Sequence, residues 1–242
     1  MFIKTWEGRT KNFPYYSLIN EYNMVTILNE KIMNTGNGKF RVPNPIGYSK
    51  NKNSLSVIFE YIDGKALSKF PIERQSRVIN EAILFLDKLT LTLNKKDEKY
   101  IKKRGRLFCA ISLPALFLYS FLLEKESKKT IFYSLLRAYF HSISILNKRF
   151  ALIHGDLSPD NILVDKSHFY ILDSEHMRYT FAEYDLNYLS ITKRNSKLLQ
   201  YILRNRNDFT RDTYLSLCIA MQFSIFADPK SKQRPFFDYL KN

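Results

Sequence analysis

Hydrophobic positions in the first third of the chain follow helical spacing first and extended spacing afterwards. Apolar side chains recur at steps of three and four over residues 14–32, which predicts an amphipathic helix. Glu21 falls on the apolar face of this helix, so its carboxylate should point inward and needs a partner. Residues 36–38, Gly-Asn-Gly, predict the turn that ends the helix. Residues 41–48 and 55–62 predict two strands around a polar turn.

The pattern changes near residue 64 and becomes mostly helical. From residue 66 to about 148 the apolar positions keep helical spacing. Two short strands are predicted at 162–164 and 169–172, on either side of a polar turn, and helices are predicted from there to the end. The chain is therefore expected to be an α+β protein with a strand-rich part at residues 1–63 and a helix-rich part at residues 64–242.

Composition indicates a folded, basic, globular protein. The 242 residues include 45% hydrophobic residues, and 38 Lys plus Arg against 23 Asp plus Glu give a net charge of +15. The two cysteines, Cys109 and Cys218, cannot build a disulfide framework and have no metal-ligand spacing. The first residues lack the apolar core of a signal peptide. We therefore expect a cytoplasmic location.

Two basic runs stand out, at residues 95–106 and 193–211. Each is interpreted as a solvated face, which is the common case, or as a surface that attracts an anionic partner such as a phospholipid or a phosphate-bearing molecule. No nucleic-acid recognition motif accompanies them, so no specific nucleic acid is expected as a partner.

The uncharged apolar segment at residues 107–123 has three interpretations. Its length is close to the minimum of about 17 residues for a membrane-spanning helix. Pro114 interrupts it, however, and helical spacing continues beyond it, which favours core helices of a globular lobe. An interfacial segment beside the first basic run is the second interpretation, and a true span is the third.

Residues that could hold a metal ion and a base together are concentrated between positions 154 and 173. Asp156 and Asn161 lie in a polar loop before the predicted hairpin, and Asp173 follows its second strand, so the hairpin should bring all three to one end. Amide and carboxylate oxygens are ligands that Mg²⁺ accepts. With Asn161 and Asp173 on the metal, Asp156 would be free to accept a proton from an attacking hydroxyl.

The stretch His-Gly-Asp-x-x-x-x-Asn, followed by Ile-Leu-Asp, resembles the catalytic and metal-binding loops of the aminoglycoside phosphotransferase family of small-molecule kinases, which have a protein-kinase-like fold. The resemblance implies that Asp156 is the catalytic base and that Asn161 and Asp173 are Mg²⁺ ligands. It also implies that His154 braces the loop and that Asp185 is a buried anchor for it.

The first third fits the same resemblance. Lys4 resembles the strand lysine that holds the α- and β-phosphates of ATP, and Glu21 would be its carboxylate partner. Glu60 and Ile62 resemble the linker between the lobes whose backbone groups bind the adenine. The implied fold has two lobes, a small β-rich nucleotide-binding lobe at 1–63 and a large helical catalytic and acceptor-binding lobe at 64–242.

The small lobe is expected to be shortened. Kinases of this fold place two strands and a glycine-rich, phosphate-covering turn before the lysine strand, whereas only three residues precede Lys4 here. No glycine-rich phosphate motif occurs elsewhere in the sequence. The expected sheet of the small lobe has three strands and an exposed edge.

These features predict an ATP- and Mg²⁺-dependent phosphotransferase that acts on a hydroxyl of a small molecule. Ser158 stands where protein kinases usually have lysine, and the interval from Asp173 to Asp185 is too short for a peptide platform. The net charge favours a neutral or anionic sugar or a cell-envelope glycolipid over a cationic aminoglycoside, and with it a peripheral contact with anionic membrane at the inner face. The alternatives are a catalytically weak or truncated kinase-like scaffold and, more remotely, a nucleic-acid-binding protein.

Overall fold

The elements below come from a computed structural model that describes residues 1–8, 13–35, 38–101, 103, 149–191 and 196–204. The helices are α1 (Phe13–Thr35), α2 (Ile72–Thr90), α3 (Tyr184–Ile191) and α4 (Ser196–Arg204). The strands are β1 (Phe2–Glu7), β2 (Phe40–Arg41), β3 (Pro45–Lys50), β4 (Ser54–Phe59), β5 (Lys65–Ala66), β6 (Phe150–Ile153), β7 (Ile162–Val164), β8 (Phe169–Ile171) and β9 (Arg178–Phe181).

Strands β1, β4 and β3 form an antiparallel sheet in that order, with β1 at one edge. Alternate residues of β4 are buried, as in a strand that covers a core with one face. Lys4 lies opposite Val57 in this sheet, and Trp6 packs edge to face on Tyr15 of α1. The sheet therefore carries the Lys4 side chain on the face that packs against α1.

Helix α1 confirms the helix predicted from apolar spacing and extends it at both ends, since 14–32 becomes Phe13–Thr35. Its buried face includes Met24, Leu28 and Ile32. Glu21 lies on the same face and is only 4% exposed, so the prediction of an inward carboxylate is confirmed. Burial of a side chain of the size of Leu28 contributes about 1.5–3 kcal/mol, so this face is the main reason that α1 docks.

A second sheet has the order β2-β8-β7-β5. Its centre is the predicted hairpin, in which Ile162 pairs with Ile171. Asp165 closes the turn because its Oδ1 accepts hydrogen bonds from the N–H groups of Ser167 and His168. The single strand predicted at 41–48 is interrupted, since Arg41 belongs to β2 and β3 begins at Pro45. Strand β5 is not expected, because two-residue strands carry no periodicity, and the helical pattern was predicted to begin at residue 66, which belongs to β5.

A third sheet pairs β6 with β9. The expectation that only helices follow residue 172 is wrong at β9, because a strand of four residues is too short for its spacing to be distinguished from a helical turn. Helix α2 agrees with the predicted apolar stripe and buries Ile79, Phe85 and Leu86. Thr90 at its end accepts a hydrogen bond from the Leu152 N–H of β6 at 2.8 Å.

The chain divides into two compact units, one of residues 1–103 with 151–179 and the other of residues 104–150 with 180–242. The first contains the three-stranded sheet, the hairpin sheet and helices α1 and α2. The described part of the second includes α3 and α4, whose buried residues include Leu189 and Leu198. A boundary between two lobes near residue 64 stays a prediction.

Some predicted features lie outside the described residues. They include the apolar segment 107–123, most of the second basic run, and residues 36 and 37 of the predicted turn. Among the helices that are described, none combines the length and the apolar character that crossing a bilayer requires.

Candidate active site

The loop between β6 and β7 is braced by His154, which is fully buried. Its Nδ1 lies 3.3 Å from the Asp156 N–H and accepts a hydrogen bond from it. The ring therefore carries its proton on Nε2, which donates to the Leu172 carbonyl at 2.7 Å. His154 thus ties the loop that bears Asp156 to the residue immediately before Asp173.

Gly155 makes a second connection between these segments. Its φ of +86° is strained for any residue with a Cβ, and a Cβ placed there would lie 2.6 Å from the His176 carbonyl oxygen. Only glycine lets the loop approach the turn Ser174–His176 this closely. The glycine of the His-Gly-Asp sequence is therefore required by packing as well as by backbone conformation.

Asp156 and Asn161 face each other across this loop. The Asn161 Nδ2 donates to the Asp156 carbonyl at 2.8 Å and lies 3.3 Å from Asp156 Oδ2. The backbone carbonyl of Asn161 accepts the Leu172 N–H at 2.9 Å. The hairpin thus places the two residues together and beside the segment of Asp173, as its topology predicted.

Asp173 has a left-handed backbone conformation, with φ 53° and ψ 49°. Within the described residues it is the one non-glycine residue with a positive φ. That conformation costs about 1–2 kcal/mol for an L-residue, so its surroundings must hold it. Hydrogen bonds to the N–H and carbonyl of Leu172 hold it on one side, and on the other side the Asn20 Nδ2 donates to the Glu175 carbonyl at 2.7 Å.

Lys4 lies between two carboxylates. Its ammonium is 2.8 and 2.9 Å from the two carboxylate oxygens of Glu21 and also contacts Oδ1 of Asp173. Burial lowers the pKa of Lys4, but Glu21 and Asp173 raise it more, so the net direction is upward and the ammonium stays charged. Burial raises the pKa of Glu21 despite the attraction of Lys4, so without that ammonium Glu21 would tend to take up a proton.

A cleft of about 240 Å³ opens next to these groups. Its walls are mostly apolar and include Phe59, Leu163 and Ile171, while Lys4 and Asp173 lie in its lining. The full lining is Phe2, Lys4, Glu21, Val25, Pro43, Phe59, Glu60, Tyr61, Ile62, Leu163, Ile171, Leu172, Asp173 and Ser174. An apolar pocket with a few charged groups at one end suits a nucleobase joined to phosphates.

Glu60 and Ile62 line this cleft, as the resemblance implied. The Glu60 N–H donates to the Asn44 carbonyl at 2.9 Å, and the Asn44 N–H donates to Glu60 Oε2 at 3.1 Å. This reciprocal pair fixes the start of the linker through the Glu60 N–H and side chain. A role of the backbone near Glu60 and Ile62 in binding adenine stays a prediction.

The donor set fits a Mg²⁺ ion that also binds phosphate oxygens. Both side-chain hydrogen bonds of Asn161 use Nδ2, which leaves its amide oxygen for a cation. Asp173 supplies a carboxylate, and Mg²⁺ commonly takes one or two protein oxygens plus phosphates and water. The described residues contain no cluster of three or more His, Cys, Asp or Glu that could hold a metal.

Asp185 is also buried, at 2% exposure, in the first turn of α3, which belongs to the second compact unit. Its role as an anchor of the catalytic loop stays a prediction.

Sequence reasoning missed Asn20 and Glu175. No signal in the sequence pointed to Asn20, because its burial and its hydrogen-bond partner follow only from the structure. The pKa of Glu175 is lowered to about 2, chiefly by its hydrogen bond with His176.

The chain is similar in structure to several solved phosphotransferases. The chain is similar to aminoglycoside 2′-phosphotransferase-IIIa solved with GDP, at 16% identity over 93% of this chain and 79% of that one, with a TM-score of 0.66. It is similar to aminoglycoside phosphotransferase APH(4)-Ia at 11% identity, over 90% and 80% of the two chains, with a TM-score of 0.69. It is also similar to spectinomycin phosphotransferase solved with ADP and spectinomycin, at 13% identity over 99% of this chain and 80% of that one, with a TM-score of 0.53.

At these identities the likeness establishes the fold, and it confirms the expected mixed α and β, protein-kinase-like class. A search of curated proteins gives no match. The model of the phosphotransferase enzyme family matches residues 18–214, which is most of the chain. The chain therefore belongs to the phosphotransferase enzyme family and is a kinase-type transferase with a hydroxyl acceptor.

Proposed function

We propose that this protein transfers the γ-phosphoryl group of ATP, with Mg²⁺, to a hydroxyl of a small molecule, and that the cleft beside Lys4 is its nucleotide site. The observation that carries the proposal is the arrangement around Asp173. The carboxylate of Asp173 contacts Lys4. The preceding residue, Leu172, is hydrogen-bonded through its backbone to the loop that carries Asp156 and Asn161. A phosphate-binding ammonium, a metal ligand and a candidate base thus belong to one compact unit.

In this proposal Asp156 accepts the proton of the attacking hydroxyl. Its Oδ2 lies 3.3 Å from Asn161 Nδ2, a contact that orients the carboxylate but leaves acceptor sites for the substrate. Asn161 and Asp173 would hold the metal, which when bound neutralises the charge of the phosphates. Lys4 would bind the α- and β-phosphates while Glu21 keeps its side chain in place.

ATP is proposed as the donor because the resemblance implies that backbone groups near Glu60 and Ile62 bind adenine, and both residues line the cleft. The spectinomycin phosphotransferase was solved with ADP and the aminoglycoside 2′-phosphotransferase with GDP, so the fold accepts either purine. Titration of the chain with ATP and GTP in parallel tests the choice, and tighter binding of GTP would contradict it.

A neutral or anionic sugar, or a cell-envelope glycolipid, is proposed as the acceptor. The support is the net charge of +15, which disfavours a cationic substrate in the surrounding field. A cytoplasmic protein with a peripheral contact to anionic membrane would meet such an acceptor. The solved relatives include one bound to spectinomycin, so an antibiotic acceptor is the direct competitor in any screen.

Thermal unfolding with ATP plus MgCl₂, against ATP alone and MgCl₂ alone, tests the nucleotide site. Ligand at 100 times its Kd adds about 2.7 kcal/mol to stability, a rise readily seen in the midpoint. The rise should require both components. Release of ADP is then measured with sugars, glycolipids and aminoglycosides, and the absence of a rise at millimolar ATP would contradict the proposal.

The alternative is a kinase-like scaffold with little activity. The observation that favours it is the contact between Lys4 and Asp173. In this contact the ammonium binds a carboxylate instead of phosphate, and the carboxylate binds an ammonium instead of a metal ion. The same thermal experiment separates the two functions. A scaffold would show no midpoint change with ATP plus MgCl₂, whereas an enzyme breaks this contact on binding the nucleotide.

A further inference from the structure

Asp173 is held from both sides along the chain. On its N-terminal side, hydrogen bonds from the catalytic loop fix Leu172. On its C-terminal side the short turn Ser174–His176 begins, and the Glu175 carbonyl of that turn accepts the Asn20 Nδ2 at 2.7 Å. Since the left-handed backbone of Asp173 is unfavourable on its own, both flanks are needed to keep its carboxylate in place.

Asn20 is well placed for this task. It is 5% exposed on the buried face of α1, next to Glu21, the partner of Lys4. Two adjacent residues of one helix therefore bear on the two charged groups of the cleft. Glu21 accepts hydrogen bonds from Lys4 directly, and Asn20 donates to the backbone carbonyl two residues after Asp173. Loss of the Asn20 amide would leave a carbonyl of the turn without its donor and free the turn to move.

We propose that Asn20 is a positioning residue of the metal site, which fixes the Asp173 carboxylate by holding the backbone two residues further on. The inference rests on the proposed function, since the metal is the Mg²⁺ that accompanies the nucleotide. Groups that hydrogen-bond a metal ligand directly are worth about 10- to 100-fold in metal affinity, and we expect the same range for Asn20, which holds the backbone beside the ligand. Removal of the Asn20 side chain should therefore lower the affinity for Mg²⁺ and leave the apolar part of the cleft intact.

The test compares Asn20→Ala with Asn29→Ala. Asn29 is the matched control, because it lies on the same helix and its Nδ2 also donates to a backbone carbonyl, that of Pro43, at 3.2 Å. Two measurements are made on each protein. Hydrogen exchange without ligand follows the amides of residues 174–177, and thermal shift at fixed ATP follows the MgCl₂ concentration that gives half of the full effect.

In Asn20→Ala we expect exchange at 174–177 about fivefold faster, as loss of one hydrogen bond allows. We also expect the MgCl₂ midpoint to rise about 10- to 100-fold, with the effect of ATP alone unchanged. Asn29→Ala should lower the melting temperature without either change. Unaltered exchange in Asn20→Ala, or an unaltered MgCl₂ midpoint, overturns the inference.

The outcome for the parent protein separates this inference from the proposed function. If the parent shows no response to ATP plus MgCl₂, the proposed function fails, and the metal part of the inference fails with it. If the parent responds and Asn20→Ala responds at the same MgCl₂ concentration, only the inference is overturned.

Discussion

At the scale of single residues, the cleft depends on contacts that connect neighbouring segments through the backbone. His154 reaches the Leu172 carbonyl, Gly155 lies against the His176 carbonyl, and Asn20 reaches the Glu175 carbonyl. None of these contacts uses the carboxylate of Asp173. The backbones that carry the proposed metal- and phosphate-binding side chains are thus fixed by residues without a role in the chemistry, while the Asp173 carboxylate itself contacts Lys4.

Replacement of the candidate base should remove turnover and leave nucleotide binding. For Asp156→Ala we expect kcat to fall about 10²- to 10⁴-fold, the usual contribution of general base catalysis, while the thermal shift with ATP plus MgCl₂ stays similar. Asp173→Ala is the contrast, because it should abolish the Mg²⁺ dependence of nucleotide binding. Unchanged turnover in Asp156→Ala would remove this residue from the catalytic role.

Gly155 should not tolerate even alanine. Gly155→Ala combines a positive φ with a Cβ 2.6 Å from a carbonyl oxygen, so we expect a loss of about 1–3 kcal/mol in the free energy of unfolding, measured in urea. Gly47→Ala is the control, since nothing lies within 4 Å of its added Cβ. Equal stability of the two variants would show that the loop relaxes at no cost.

The role of a residue was predictable where the spacing of apolar residues fixed the direction of its side chain. Glu21 was expected to point inward because its position on the helix followed from spacing, and the structure gives it Lys4 as a partner. Asn20 was missed although it is adjacent. Its partner is a backbone carbonyl in a turn whose conformation depends on Asp173, and such a contact leaves no pattern in the chain.

At the scale of elements, helix α1 joins the cleft to a distant part of the first unit. Near its C-terminal end, Lys31 forms an ion pair with Asp97 at 2.8 Å, and both side chains are less than a tenth exposed. Burial would raise the pKa of Asp97, but Lys31 and the Asn94 N–H lower it more, so the net direction is downward. The carboxylate is therefore charged at neutral pH and holds the helix.

Breaking this pair should destabilise the fold. Lys31→Met leaves a buried carboxylate without its partner, and we expect a loss of about 3–5 kcal/mol in the free energy of unfolding. Lys39→Met is the control, since Lys39 pairs with Glu81 at the surface, where ion pairs contribute about 0–1 kcal/mol. Similar losses in the two variants, by urea unfolding, would contradict the role given to Lys31.

The same pair predicts a pH dependence. Because the folded pKa of Asp97 lies below its usual value of 3.8, its contribution is present above that pH and is lost as pH falls further. The slope of stability against pH below 4 should therefore be smaller in Asp97→Asn than in the parent. An identical slope would show that other carboxylates account for acid unfolding.

Elements were predictable from the sequence where their signal lies close together in the chain. Helix α1 contains several turns with regularly spaced apolar residues, and β7 and β8 are two apolar segments on either side of one polar turn. Both elements were placed within a few residues. Strands β2, β5 and β9 have two to four residues, and their existence depends on pairing with strands far along the chain. Local spacing cannot register such pairing.

At the scale of the whole molecule, the family and the fold class followed from a few residues around Asp156, and the family model and the solved structures confirm them. The lobe boundary expected near residue 64 stays a prediction. Contacts group residues 1–103 with residues 151–179 in one compact unit. Periodicity reports the type of element, and compact units depend on which elements pack together.

The net charge of +15 predicts how the molecule treats polyanions. We expect weak retention on heparin that is lost in moderate salt, because counterion release without a recognition motif gives affinity but no specificity. In the acceptor screen, kcat/KM for anionic or neutral sugars should exceed that for kanamycin-type cations. The reverse order would show that the local charge of the acceptor pocket outweighs the field of the whole protein.

The contact between Lys4 and Asp173 has a kinetic consequence. In the free protein the Lys4 ammonium would compete with Mg²⁺ for the Asp173 carboxylate, the proposed metal ligand, at the effective concentration of a tethered group. Free Mg²⁺ would have to displace the Lys4 ammonium from Asp173 with no new partner for the ammonium. A complex of Mg²⁺ with the nucleotide would supply phosphates to which the displaced ammonium can bind. Binding should therefore be ordered, with the metal arriving as part of the nucleotide complex.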